Sequence, residues 1–349
     1  MFTVADARRY AVHLFAQSAI LNTQSHSSLL LDADVLLQHF LDKPRAWLFA
    51  HDDADISPIR EAFCAAAEQR CTGLPIAYIT GEKDFWGLSF KVSPDVLIPK
   101  PDTELLVERS LAVIKEKAEK LQSPEQTLYL LDPCTGSGCV AISILHTLEA
   151  ESIRNVVCIA VDISPAAISI ARLNAERLLS AEAQRRLHII EGDMHSLPET
   201  IARFTETLQS NPHSRSGAET CPFLGTAVYE TAGGVSQPPL VSKALRFDLI
   251  AANPPYVPSG LTQELLKDGR NEPALALDGG FDGLDFIRIL TNNTRTVLNR
   301  NGVLLSEVGE YHAQAARRLF ENAGFSDVRI HQDLAGQDRL IEGVSEQPH

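Results

Sequence analysis

Between residues 3 and about 73, apolar side chains recur every three or four positions. Tyr10, Ala11, Leu14, Phe15 and Ala19 make one stripe, and Leu29, Leu30, Ala33, Leu36, Leu37 and Phe40 a second. This spacing predicts helices with one buried face. A short third helix carries Trp47 and Leu48. Ser57-Pro58 reads as an N-cap followed by proline at the first helical position, opening a fourth helix through Cys64 to Gly73. Residues 1–73 are thus expected to form a small helical bundle, a scaffold or partner-binding module with no nucleophile or metal set. From Leu74 to Val96 the period shortens: Trp86-Gly87-Leu88-Ser89-Phe90-Lys91-Val92 alternates, with Gly81, Gly87 and Pro94 as punctuation. That pattern predicts a β-hairpin linker over 74–96.

Residues 97–349 alternate strand-like and helix-like runs. Pro99 and Pro101 hold an extended segment, and Asp102 or Thr103 can cap a helix through Leu105, Leu106 and Ile114. This segment is a candidate wall of the site. Apolar runs at 128–132, 156–162, 187–194, 247–252 and 302–307 read as strands, and a last helix and strand, 313–320 and 328–331, finish the sheet. Between them, Ser164-Pro165 starts a helix whose Ile168, Ala171, Leu173, Asn174 and Leu178 read mostly as packing residues. The alternation predicts an open, largely parallel α/β sheet. Ser, Gly, Pro and Thr dominate about 205–245, which is expected to be a flexible insertion in the 97–349 domain, and 259–283 reads as another long connection.

The strand at 247–252 ends in Asn253-Pro254-Pro255-Tyr256. In an open parallel sheet, ligands bind beyond the carboxyl ends of the strands, so this tetrapeptide stands at the mouth of a site. The Asn253 side-chain oxygen and the Pro254 carbonyl, stiffened by the Pro-Pro pair, can each accept a hydrogen bond from an NH2 group. Tyr256 can stack on that planar group and turn its π face to a cation. A plain strand followed by a proline turn would leave the Asn and Tyr without a purpose.

Asp132-Pro133-Cys134-Thr135-Gly136-Ser137-Gly138 supplies a glycine-rich turn between strand and helix, with Asp162 ending the next strand. The spacing suits a dinucleotide, and an NAD-binding oxidoreductase stays open on that ground. A carboxylate at Asp132 would repel a pyrophosphate at the helix N-terminus but welcome an ammonium group, as S-adenosylmethionine carries. As a helix-capping carboxylate, Asp132 would touch no ligand. Asp162 would then take ribose hydroxyls, Asp193 the adenine amino group, and Met194 would cover the ring; Asp193 can equally be a turn residue. A DNA adenine methyltransferase needs the same amide-plus-aromatic clamp for a flipped base, but also a basic cleft.

Charge weighs against that cleft. The 349 residues carry 45 Asp and Glu against 31 Lys and Arg, a net charge of -14, which disfavours non-specific phosphate binding. The six cysteines form no Cys-x-x-Cys pair and the 11 histidines no His-Glu-x-x-His, so no metal is expected and the thiols read as reduced. No apolar run reaches membrane-spanning length, and the expected location is the cytoplasm.

Taken in order, Gly73-Leu74-Pro75, Gly81, Phe85, Leu97-Ile98-Pro99-Lys100-Pro101-Asp102-Thr103-Glu104, Asp132 to Gly138, Asn253 to Tyr256, Glu272-Pro273-Ala274-Leu275 and Glu307-x-Gly309 resemble the HemK/PrmC family of protein-(glutamine-N5) methyltransferases. The resemblance spans nearly the whole chain. It implies a Rossmann-like, class I methyltransferase domain that uses S-adenosyl-L-methionine, with a helical N-terminal domain that helps hold the substrate. It also implies methylation of the glutamine in the Gly-Gly-Gln loop of class I peptide chain release factors, by a monomer with no nucleic acid or membrane partner. Position by position, Cys134, Thr135, Gly136, Ser137, Gly138, Asp162 and Met194 fall to the cofactor, and Asn253, Pro254, Pro255 and Tyr256 to the glutamine. Three features depart from the family pattern: Lys100 stands where Arg is usual, Cys134 where Gly is frequent, and the 205–245 segment is longer than expected.

Overall fold

The computed structural model describes residues 1–123, 126–210 and 245–346. Their contacts divide the chain into two compact units. One comprises Met1–Lys100 with Pro255–Gly283, the other Pro101–Pro254 with Leu284–His349. The segment 255–283, expected as a connection within the 97–349 domain, therefore packs with the N-terminal residues.

In the first unit the helices Val4–Gln17, His26–Leu41, Arg45–Ala50 and Arg60–Cys71 bury Phe15, Leu36, Leu37, Leu48 and Phe63 completely. Phe15, Leu36 and Leu37 are the inner edges of the two stripes, whereas Ala19 lies beyond the first helix and is exposed. Thr3 and Asp6 close a reciprocal capping box on the first helix. Ser57 does not cap the fourth: it lies inside a 3-10 turn, Ser57–Ile59, and its hydroxyl donates to Asp55 Oδ1 at 2.6 Å. Residues 74–96 also depart from a simple hairpin. Pro75 leads into a short helix, Ile76–Thr80, ended by Gly81 in the left-handed region, before β1 (Glu82–Phe85) and β2 (Leu88–Lys91) pair antiparallel. Trp86 and Gly87, both at positive φ, form the two-residue turn that suits the strands' twist.

The segment 255–283 carries two short helices, Ser259–Leu265 and Ala274–Leu277. Its anchor is a backbone crossing: a Cβ on Gly269 would fall 1.9 Å from the Thr72 carbonyl oxygen, and one on Gly73 2.0 Å from that of Asp268. Only two glycines allow this approach. Beside it Lys100 Nζ donates to Glu272 Oε1 at 2.6 Å, an ion pair with a buried carboxylate.

The second unit holds a seven-stranded sheet. Its strands are β3 (Leu128–Pro133), β4 (Val156–Asp162), β5 (Leu187–Glu191), β6 (Phe247–Ala252), β7 (Leu298–Glu307), β8 (Phe325–Gln332) and β9 (Asp338–Ser345), in the order β5-β4-β3-β6-β7-β9-β8. The first five are parallel; β9 runs antiparallel to β7 and to β8. The sequence reading placed a single strand after the last helix, whereas β9 lies between β7 and β8. Leu131, Ile159, Phe247, Ile250, Leu304, Phe320 and Ile341 form the core against the helices. Residues 205–210, at the start of the expected insertion, continue the helix Leu197–Ser210; 211–244 lie outside the described residues. No helix among the described residues is long and apolar enough to cross a membrane.

Candidate active site

The chain runs outward from β3 to β4 and β5, then returns to place β6 on the other side of β3. This reversal opens a crevice beyond the carboxyl ends of β3 and β6, the place where doubly wound sheets bind ligands. The loop Cys134–Gly138 leaves β3 there, and Asn253 leaves β6.

The loop is held by a dense set of bonds. Thr135 N–H donates to the Val161 carbonyl at 3.0 Å, and Gly136 N–H to Asp162 Oδ2 at 2.8 Å. The buried Asn174 amide donates to the Ser137 carbonyl at 2.9 Å. Asn174, read from its helical spacing as a packing residue, thus fixes the loop. Gly138 is at φ 81 and caps the helix Cys139–Ala150; a Cβ there would lie 2.8 Å from Ile142 Cδ1. A Cβ on Gly136 would meet nothing within 4 Å, so the loop's outer edge faces open space.

Asp132 is 1% exposed. Its Oδ2 accepts from Thr135 Oγ1 at 2.7 Å and from the Ala141 N–H at 3.2 Å, and burial pushes the acid up to about 7. The geometry is that of a helix-capping carboxylate, the alternative to the ligand contact given more weight in the sequence. Asp162 accepts from the Gly136 N–H at Oδ2 and from the Ser164 N–H at Oδ1 (3.0 Å), with the Ile163 N–H as a third donor, so one of its roughly four acceptor sites remains. Burial raises its pKa, opposed by those amides. Asp193 is a turn residue by its bonds: β5 stops at Glu191, and Asp193 Oδ1 caps the 3-10 turn Met194–Ser196 through the His195 N–H at 2.9 Å. That amide holds the Asp193 carboxyl below its usual range, burial opposing.

Met194 is buried with Ala252 and Leu290, next to Cys134, whose Sγ lies 3.7 Å from Met194 Sδ. Burial, and then the charges of Asp162, Asp132 and Asp193, raise the Cys134 thiol pKa far above its ordinary value. Asn293, which the sequence pattern does not mark, holds the Met194 turn by donating to the carbonyls of Met194 and His195 at 2.9 and 3.0 Å. No periodicity or motif signals that bond, because its partners lie about a hundred residues away.

Asn253 Nδ2 donates to Thr103 Oγ1 at 3.1 Å. Pro254 and Pro255 are buried and Asn253 is partly so. The chain passes from one unit to the other between Pro254 and Pro255, so Tyr256 belongs to the first unit. There its backbone is backed by Gly279, where a Cβ would fall 2.6 Å from Tyr256 Cα.

A family model described as the PrmC N-terminal domain matches residues 6–81. The release factor glutamine methyltransferase of Moorella thermoacetica is 33% identical over 313 residues, 89% of this chain and 89% of that protein. That of Xylella fastidiosa is 33% identical over 328 residues, 93% of this chain and 96% of its own length. The chain belongs to the release factor glutamine methyltransferase family. A solved structure of a release factor-specific protein-(glutamine-N5) methyltransferase from Alicyclobacillus acidocaldarius covers 74% of this chain and 100% of its own, with 23% identity and a TM-score of 0.37.

Members of this methyltransferase family are S-adenosylmethionine-dependent, and so is this chain. The residues present fit that cofactor. Of the acids at the loop, Asp162 keeps acceptor capacity for a ligand's hydroxyls, whereas Asp132 is taken up by Thr135 and Ala141. The dinucleotide reading falls on the family match.

Proposed function

We propose that this methyltransferase modifies the side-chain amide nitrogen (N5) of the glutamine in the Gly-Gly-Gln loop of class I peptide chain release factors, and so supports translation termination. The observation that carries the reading is Asn253-Pro254 at the carboxyl end of β6, across the sheet's reversal from the Cys134–Gly138 loop, in a chain of this family. The helical residues 1–73 serve as a release factor-binding module, a role supported by the family match at 6–81. The enzyme acts as a cytoplasmic monomer without nucleic acid.

An amide nitrogen is a poor nucleophile because its lone pair is delocalised into the carbonyl. S-adenosylmethionine, when bound, supplies a methyl group made electrophilic by its sulfonium. Asp162 receives a hydroxyl donor at its remaining acceptor site, and the Cys134–Gly138 loop shapes the cofactor's bed. Asn253 Oδ1 and the Pro254 carbonyl each accept one N–H of the glutamine amide. These acceptors stabilise positive charge as it develops on nitrogen, and so lower the barrier more than they tighten binding. No base is required before attack, since the nitrogen loses its proton after the methyl has moved. Fixing nitrogen in line with the methyl contributes at most about 7–11 kcal/mol.

Asn253→Ala tests the reading. Turnover on release factor should nearly vanish while S-adenosylmethionine affinity, by calorimetry, stays within a few-fold. Turnover that survives would exclude the amide clamp.

A further inference from the structure

Thr103 occupies the N-cap position of the helix Glu104–Glu119, yet its side chain makes no capping bond. The reason is its backbone. At φ -69 and ψ -15 it is helical, whereas a capping side chain needs an extended residue to reach back to the helix amides. The hydroxyl is therefore available to another partner, and it accepts from Asn253 Nδ2 at 3.1 Å, 150 residues further along the chain. Thr103 is 1% exposed, so water does not compete for that bond.

An Asn side chain presents a donor end and an acceptor end that differ by a half-turn of the amide, and only the acceptor end can receive a substrate N–H. We infer that Thr103 is a positioning residue of the methyl-transfer site: by engaging the Asn253 amide nitrogen it turns Oδ1 toward the glutamine NH2. The inference rests on the reading of Asn253 given above. Without the hydroxyl, the Asn253 Nδ2 loses the partner that holds the amide in the orientation observed, and the flipped amide would set NH2 against NH2. Binding of release factor, spread over many contacts, should change little, whereas the chemical step should suffer.

Thr103→Val keeps the shape and removes the hydroxyl; Thr103→Ser keeps the hydroxyl and removes the methyl. Single-turnover methyl transfer to purified release factor, cofactor affinity and thermal melting are measured for both, in the native and the Asn253→Ala background. Expected are a drop of tenfold or more in the transfer rate for Thr103→Val, with KM and cofactor affinity within threefold, and recovery to within threefold for Thr103→Ser. In the Asn253→Ala background Thr103→Val should have no further effect. An unchanged rate for Thr103→Val in an otherwise active enzyme overturns the inference while the glutamine reading stands. Equal loss in both backgrounds, or loss tracking the melting temperature, also overturns it. A native enzyme that does not label release factor overturns the glutamine reading instead.

Discussion

Cys134 holds a left-handed backbone, φ 63, as the first residue of the glycine-rich loop. A non-glycine residue there costs roughly 1–2 kcal/mol. Here the side chain packs against Met194 and Ala252 in return. Replacing Cys134 by Ala removes the thiol and keeps the backbone cost; replacing it by Gly removes both. Thermal or urea unfolding should therefore rank Gly above Ala at position 134 by about 1 kcal/mol, the reverse of their usual order outside turns. Ala above Gly would show that the loop is not strained. The sequence places Asp132 near the end of β3 and Asp193 just beyond β5, but does not show where their oxygens turn. Both turn to nearby backbone amides, as short carboxylates beside a helix or turn start tend to do. Asp162 was read as a ligand residue too, and its remaining acceptor site keeps that role open to it.

At the scale of elements, the parallel strands were legible because burial on both faces writes them as unbroken apolar runs. Strand β9 was not. Asp338-Arg339-Leu340-Ile341-Glu342-Gly343-Val344-Ser345 has a buried acid and a glycine in its middle, and both argue against a strand. Each has a tertiary cause. A Cβ on Gly343 would meet Phe320 at 2.7 Å, and Glu342 receives Arg109 through two bonds of 2.6 and 2.8 Å and His331 at 2.8 Å. Burial alone would raise the Glu342 pKa, but Arg109 and His331 outweigh it and bring it from 4.5 to about 2. Because the folded value is depressed, the stabilisation is present above about pH 4.5 and lost as the pH falls toward 2; the shift corresponds to on the order of 3 kcal/mol. Glu342→Gln should lower the unfolding free energy by about that amount at pH 7, and the gap to the native protein should narrow by pH 3. A gap independent of pH would mean that the carboxylate's charge does not tie the helix Glu104–Glu119 to β9.

For the whole molecule, the chain changes unit three times, after Lys100, Pro254 and Gly283. Order along the sequence therefore misassigned 255–283, because the Gly73–Gly269 crossing and the Lys100–Glu272 pair join segments far apart in the chain. The motifs were readable nonetheless, since each is a short run whose local chemistry does not depend on that folding path. The central claim is that the clamp at Asn253-Pro254 acts on a glutamine amide. Its most direct test is transfer of labelled methyl from S-adenosylmethionine to purified release factor, to the same factor with its Gly-Gly-Gln glutamine replaced, and to adenine-containing duplex DNA. Label on the intact factor alone is the predicted result. Label on the glutamine-replaced factor or on DNA would contradict it.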